Sequence, residues 1–388
     1  MLQDFRNHAA AELRCESAIV VVAGENGSGK TNLLEAVSLL GPGRGLRGAR
    51  NAEFCRHTAA GPLPWAVHGR FEGPFGPFEV GTGTPPDGAV DKRALRLDGM
   101  PVRSQAELAA QVAAVWLTPQ MDRLFQEGAS GRRRFLDRLV WALEPTHARE
   151  VASHDNAMAQ RNRLLSQGGH DPGWLSSLED AMARHGVAAS AARLAMVNRL
   201  NAALEAGTAG AFPAARCALS CEVARMLEEQ PALAAEDALR AKLLANRGRD
   251  AAAGLATAGA HRCDLLMRHI PKDLPAEMCS TGEQKALLVS VVLAHAALIA
   301  AARGFAPILL LDEVAAHLDV PRREALFAAL RALPAQVFLT GTEMAVFDGL
   351  GGAAQRFGTG ENGSGVRALP PLGAELPRNA DYPVREGL

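Results

Sequence analysis

Val20, Val21 and Val22 run directly into the glycine-rich string GENGSGKT at residues 24–31, and KTNLLEAVSLL follows without a break. The short apolar run reads as a buried strand. The apolar spacing of the next segment reads as a helix, stopped by Gly41, Pro42 and Gly43. A strand, a glycine loop and a helix in this order commit the first part of the chain to an α/β fold.

The glycines have a steric reason. Backbone N–H groups that converge on a phosphate need an open approach, which side chains would block. Residues Gly24, Glu25, Asn26, Gly27, Ser28, Gly29, Lys30 and Thr31 fit G-x-x-x-x-G-K-[ST]. The amides from Asn26 to Thr31 are expected to cradle the phosphates of ATP, Lys30 to reach the β and γ phosphates, and Thr31 to offer its hydroxyl to Mg²⁺. The N-terminus of the helix adds partial positive charge. A near copy of the loop, GENGSG at residues 360–365, lacks the Lys and Thr and runs on to Pro370 and Pro371. It is assigned no nucleotide role.

Far downstream, ILLLDE at residues 308–313 places two acids behind four apolar residues. A buried parallel strand would carry Asp312 and Glu313 to the carboxyl edge of a sheet, where ligands bind. There Asp312 is expected to hold Mg²⁺ and Glu313 to orient or deprotonate the attacking water. Solvent-facing acids at a strand end are the plainer reading.

A third element, CSTGE at residues 279–283, opens a long apolar helix. Ser280 and the amide of Gly282 fall at its N-terminus, a second phosphate-binding device. One γ phosphate cannot easily use two such devices unless the second belongs to another molecule. A dimer with ATP at its interface is therefore expected.

Bulk properties bound the partners. Among 388 residues, 41 Lys and Arg balance 42 Asp and Glu, so a polyanion would have to be met by a local patch. The six cysteines are scattered, and they read as reduced thiols of a cytoplasmic protein. No histidine pair has ligand spacing beside a carboxylate. The first residues, MLQDFRNHAAAEL, carry charge and no apolar run, so no secretory signal is visible. The apolar segment at residues 286–302 contains a Ser and a His and reads as a buried helix; no membrane association is expected.

Between these motifs, PWAVHGRFEG, PFEVGTGT and RALRLDG suit an antiparallel flap, with PPDG as a turn. From 124 to 270 the character is helical, with breaks at QGGHDPG and GTAGAFP. The expected division is an ATPase head from residues 1–123 and 271–388, with a helical second lobe inserted at 124–270. No repeat or sustained heptad is present. The Gly- and Pro-rich end of the chain is expected to be poorly ordered.

These residues resemble the ABC-type ATPases of chromosome maintenance, and within them the RecF family of bacterial recombination mediators. The matching strings are DFRNH, GKTNLLEA, GRRRFLD, QRNRLL, AHRCDL and STGEQKALL, spread over most of the chain, with a D-loop resembling AHLD at residues 316–319. The resemblance implies an ATPase head with two lobes, ATP-dependent homodimerisation and slow, DNA-stimulated hydrolysis. It further implies binding to double-stranded DNA and single/double-strand junctions, and work with RecR and RecO to load RecA. It brings Arg6 and Asn7 near the nucleotide, in a contacting or a structural role.

There are departures. Few residues precede FRN, so the first strand is expected to be short or the native start to lie upstream. Cys263 stands in HRCD where Asp or Ala is common. The strand QVFLTGTE offers Thr340 and Thr342 where ABC transporters carry a switch His, which suits a slow switch. The Q-loop glutamine is Gln120, at a plausible strand end and a further metal-site candidate, or else Gln105. Arg132, Arg133 and Arg134 form the densest basic cluster, facing either DNA phosphates or the junction between lobes. His261, Arg262 and Asp264 are expected to brace that junction. Two rivals stand beside the DNA-binding switch: the ATP-binding subunit of an ABC transporter, and a scaffold whose ATP site is structural.

Overall fold

The computed structural model describes residues 1–168, 171–360 and 365–370. In chain order, β1 (Leu2–Phe5), β2 (His8–Ala11) and β3 (Ile19–Ala23) lead into helix α1 (Lys30–Leu39). Strands β4 (Arg56–Thr58), β5 (Gly61–Leu63), β6 (Ala66–Gly73), β7 (Gly76–Gly83), β8 (Ala94–Leu97) and β9 (Met100–Pro101) follow. Next come α2 (Gln105–Gln111) and β10 (Ala114–Leu117), then α3 (Ala129–Leu143), α4 (His147–Gln167) and α5 (Pro172–Glu205). Strand β11 (Ala215–Ser220), helices α6 (Glu222–Glu229), α7 (Ala232–Ala245) and α8 (Arg247–Ala253), and strands β12 (Asp264–His269) and β13 (Leu274–Pro275) complete the middle of the chain. The last described elements are α9 (Thr281–Arg303), β14 (Ile308–Leu311), α10 (Val320–Ala332), β15 (Val337–Gly341), β16 (Ala354–Thr359) and β17 (Val366–Leu369).

Two six-stranded sheets form the head. One has the order β10-β14-β15-β3-β16-β17 and is parallel except for the last pair; the other, β2-β1-β6-β7-β8-β9, is antiparallel throughout. The flap read from the sequence is this second sheet, and PPDG makes its turn, with Gly88 N donating to Pro85 O at 2.9 Å. The short β1 pairs with both β2 and β6. Burial follows strand type. Every residue of β3 and β14 is buried, as parallel strands covered on both faces require, whereas β6 alternates along much of its length.

Helix α9 is long and apolar enough to cross a bilayer, yet 72% of its most apolar window is buried within the protein. It packs against α5, α3 and β10. His295 Nε2 donates to Leu139 O at 2.8 Å, tying α9 to α3.

Residues 124–270 hold α3 to α8, but they are not wholly helical. Strands β11 and β12 pair antiparallel there, and β13, just beyond the segment, adds a third strand. The stretch RCALS, flanked by helices, carries a strand signal too short to outweigh them. One apolar core runs through Leu139, Leu200, Leu287 and Leu309, joining this segment to the parallel sheet. A separate core, including Met182, Val187, Leu239 and Leu243, lies among the helices of this segment. There Arg161, 0% exposed, donates to Glu179 at 3.0 Å, to Asp250 at 2.7 Å and to the Leu243 carbonyl at 2.7 Å.

The cysteine expectation is corrected. Cys221 and Cys263 form a disulfide, while Cys15, Cys55, Cys217 and Cys279 are free. The β11–β12 register explains the pairing: Ser220 lies opposite Asp264, which brings the next residue on each strand, Cys221 and Cys263, together. Two cysteines 42 residues apart give no such signal in the sequence. The residues expected to be poorly ordered at the chain end, 371–388, and most of the near-copy GENGSG lie outside the described residues.

Candidate nucleotide-binding site

The loop between β3 and α1 is shaped by two left-handed glycines, Gly27 at φ 83° and Gly29 at φ 99°. At Gly29 a side chain is excluded twice over. The backbone disfavours it, and an added Cβ would lie 2.6 and 2.7 Å from the Asn7 amide atoms, closer still to His8. His8 Nε2 donates to Gly29 O at 3.1 Å, so β2 braces the loop from behind. Ser28 meets Thr359, at the end of β16, at 2.6 Å.

Lys30 opens α1 and is 4% exposed; its Nζ donates to the Gly24 and Glu25 carbonyls, both at 2.8 Å, so the ammonium is folded back over the loop. Thr31 Oγ1 donates to both oxygens of Asp312, at 3.0 and 2.9 Å, across 281 residues of sequence. Parallel pairing sets this up, because β15 lies between β3 and β14 and brings their carboxyl ends level. Asp312 is 3% exposed, and its Oδ1 also accepts from Thr340 Oγ1 at 2.7 Å. Glu313 stands in a left-handed conformation, φ 54°, with its carboxylate 4.0 Å from Lys30.

Arg6 and Asn7 adopt local roles. Arg6 makes a two-pronged pair with the buried Glu35 of α1, at 2.8 and 3.0 Å, and Arg47 joins it at 2.9 Å. Asn7 Oδ1 accepts from Asn32 at 2.7 Å, while its buried Nδ2 has no partner among the described residues. Gln120 is exposed, in a 3-10 turn that follows β10 at the same sheet edge as Asp312. Gln105 accepts from Gly43 N at 2.8 Å, at the far end of α1 from Lys30. The structure thus puts Gln120, and not Gln105, at the edge that carries the acids.

Ser280 and Gly282 are not joined to this cluster by any hydrogen bond among the described residues. Ser280 caps α9 through a reciprocal box: its Oγ accepts from Glu283 N at 3.4 Å, and Glu283 accepts from Ser280 N at 3.0 Å. A hydrogen bond from Lys272, followed by those from Ser280, holds the Glu283 carboxyl down to about 2. Helix α9 runs alongside β10. Arg303 donates to the Ala109 carbonyl before that strand, and Lys285 pairs at 3.2 Å with Asp122 beyond its end. Ser280, more than a turn further on and exposed, therefore projects past the sheet edge.

The basic cluster is engaged internally. Arg132 makes a two-pronged pair with Asp264 at 2.8 and 2.7 Å, and Arg133 donates to the Cys263 carbonyl at 3.0 Å, leaving Arg134 exposed. His261 donates to the Ala256 carbonyl at 2.8 Å. Burial, foremost, pushes its imidazole down to about 4. The residue that sequence reasoning under-read is Thr340, noted only for the absence of a histidine nearby, although a hydroxyl at the end of a strand between two phosphate-site strands is a readable signal.

The donor set fits a nucleotide with a hard cation. Glycine-opened amides and a buried ammonium suit phosphates, and a hydroxyl beside a buried carboxylate suits Mg²⁺. Fold and site together define a P-loop ABC-type ATPase head. No protein-family model matches the chain. The DNA replication and repair protein RecF of Rhizobium rhizogenes K84 is 48% identical over 363 residues, covering 93% of this chain and 96% of the relative. RecF of Agrobacterium fabrum C58 is 49% identical over 364 residues, with the same coverage. The chain belongs to the RecF family of DNA replication and repair proteins, which sets the transporter reading aside. Among solved structures, the recombination mediator RecF-ATPrS superposes with a TM-score of 0.82 at 21% identity, over 95% of this chain and 96% of that one. The Smc head of Pyrococcus furiosus bound to the C-terminal domain of ScpA gives 0.50 at 15% identity, over 95% and 94%. Both likenesses are of fold.

Proposed function

We propose that the chain is an ATP-driven DNA-binding switch of recombinational repair in the cytoplasm, built as a head (1–123 and 271–388) with an inserted lobe (124–270). Two copies close on two ATP molecules. In each interface Lys30, Thr31 and Asp312 of one copy face Ser280 and Gly282 of the other. One observation carries the reading: the helix end that offers Ser280 and the Gly282 amide continues past Lys285, which already pairs beyond the end of β10, and exposed Ser280 makes no hydrogen bond, among the described residues, to the Lys30–Asp312 cluster of its own chain. A device built to bind phosphate, set away from its own chain's loop, fits a partner's phosphate.

In this scheme Thr31 and Asp312, with Gln120 beside them, would hold Mg²⁺, which when bound neutralises charge on the phosphates. Lys30 binds the β and γ phosphates. Glu313 holds the attacking water and takes its proton. Closure creates the surface that grips double-stranded DNA and single/double-strand junctions, and slow hydrolysis releases it. The name of the relatives, and the RecFOR pathway named for the solved RecF structures, support a place beside RecR and RecO upstream of RecA.

The test is sedimentation of the protein with ATP, with ADP and without nucleotide, repeated on duplex carrying a single-strand gap. Dimer is expected with ATP alone, and Glu313→Gln is expected to lengthen its lifetime by at least tenfold. A monomer that hydrolyses ATP with no tendency to pair refutes the scheme. Zero turnover with and without DNA favours the scaffold reading.

A further inference from the structure

We infer that Thr340 is a positioning residue for hydrolysis: its hydroxyl fixes the peptide between Asp312 and Glu313 and so aims the Glu313 carboxylate. The inference rests on the ATPase reading above and adds to it a residue that touches neither phosphate nor water.

The hydrogen-bond directions are determined by chemistry. A hydroxyl has one proton, and an ionised carboxylate can only accept. The proton of Thr340 therefore goes to Asp312 Oδ1, at 2.7 Å, and its lone pair accepts the Glu313 N–H, at 3.0 Å. Thr340 is 0% exposed, so its hydroxyl has no water to turn to in place of these two partners. One side chain thus holds the acceptor of the first acid and the backbone donor of the second.

The second contact matters because of the backbone at Glu313. Its φ of 54° is one of five positive values at non-glycine residues in the described chain. An L side chain enters that region only where its surroundings over-determine it. Among those surroundings is Thr340, which satisfies the Glu313 N–H in this orientation alone. Rotation of the peptide towards a right-handed conformation would break that bond and swing the carboxylate from its place 4.0 Å from Lys30. Thr340 is suited by position as well. It pairs with Val22 on β3 and follows Leu339, which pairs with Leu311 on β14, so it spans the strand entering the phosphate loop and the strand carrying the acids. In a chain with no histidine in QVFLTGTE, this hydroxyl is the group of β15 that touches the acids.

Thr340→Val keeps the shape and removes the hydroxyl; Thr340→Ser restores it. With the parent turning over ATP, the valine variant is expected to lose about a hundredfold in kcat, the scale for a misplaced catalytic group. ATP affinity is expected to stay near that of the parent, the thermal midpoint to fall by a few degrees because Asp312 Oδ1 and the Glu313 N–H lose their partner, and the serine variant to recover most of both kcat and midpoint. A second readout needs no turnover: the Glu313 amide proton is slow to exchange in the parent and the serine variant and fast in the valine variant. An active parent whose valine variant matches it in kcat, or one with unchanged Glu313 exchange, overturns this inference alone. An inactive parent overturns the ATPase reading and this role with it.

Discussion

The phosphate loop offers a comparison in which one variable is held constant. Gly27 and Gly29 both have positive φ, so alanine at either carries a left-handed backbone cost of about 1–2 kcal/mol. Their surroundings differ. An added Cβ at Gly27 meets nothing within 4 Å, whereas at Gly29 it meets the Asn7 amide at 2.6 and 2.7 Å and the ring of His8 closer still. Relief of that clash displaces His8 and breaks its 3.1 Å bond to Gly29 O, a further loss of about 1 kcal/mol, with repacking strain of about 1–3 kcal/mol beside it. Gly29→Ala should therefore cost about 2–4 kcal/mol more than Gly27→Ala. The assay is amide hydrogen exchange over the first turn of α1, where Leu33 N donates to Gly29 O at 3.0 Å. At about 1.4 kcal/mol per tenfold, exchange there should be about thirtyfold or more faster in Gly29→Ala than in Gly27→Ala. Equal exchange in the two variants would refute the claim that β2 braces the loop.

Other outcomes follow from buried charge. Burial holds the His295 imidazole down to about 4 from an ordinary 6.5. The unfolded chain then binds the proton first, so stability is full above about pH 6.5 and falls as pH drops towards 4, by at most about 3 kcal/mol. His295→Gln should flatten that part of the stability curve, and an unchanged slope would exclude the histidine as its source. Arg161→Ala leaves Glu179 and Asp250, each 1% exposed, without their shared partner; a loss of about 3–5 kcal/mol is expected in denaturant unfolding, and a loss below 1 kcal/mol would contradict the described network. Ser280→Ala removes the cap of α9 and should cost about 1 kcal/mol in local exchange at its first turn. The same variant should weaken ATP-driven dimerisation out of proportion to that local cost, and normal dimerisation would count against a role for Ser280 across the interface.

The parts of the fold that could be read from sequence are those whose geometry is set by near neighbours. The strand, glycine loop and helix at residues 18–40 are one such unit, and so are the antiparallel flap with its PPDG turn and the long helix after Ser280. Each is specified by local periodicity or by a turn residue. The buried strand ILLLDE was legible for the same reason, since four apolar residues ending in acids admit few placements. The short strands β11 and β12 were not, because neither carries enough local signal to outweigh the helices around it, and pairing across more than 40 residues creates them. The Cys221–Cys263 link and the placement of Gln120, rather than Gln105, at the edge that carries the acids follow from strand register and sheet order, which no local pattern encodes.

The site divides in the same way. The sequence by itself determined which groups could bind phosphate and cation, because glycine, lysine, threonine and carboxylate are chosen by their own chemistry. Tertiary structure alone decided that Thr31 and Asp312, 281 residues apart, share a hydrogen bond, and that Thr340 holds both acids. It also decided that Ser280 stands beyond the sheet edge. Chemistry resides in a side chain and can be read one residue at a time, whereas distance depends on how strands are ordered in a sheet, which is a property of the whole chain.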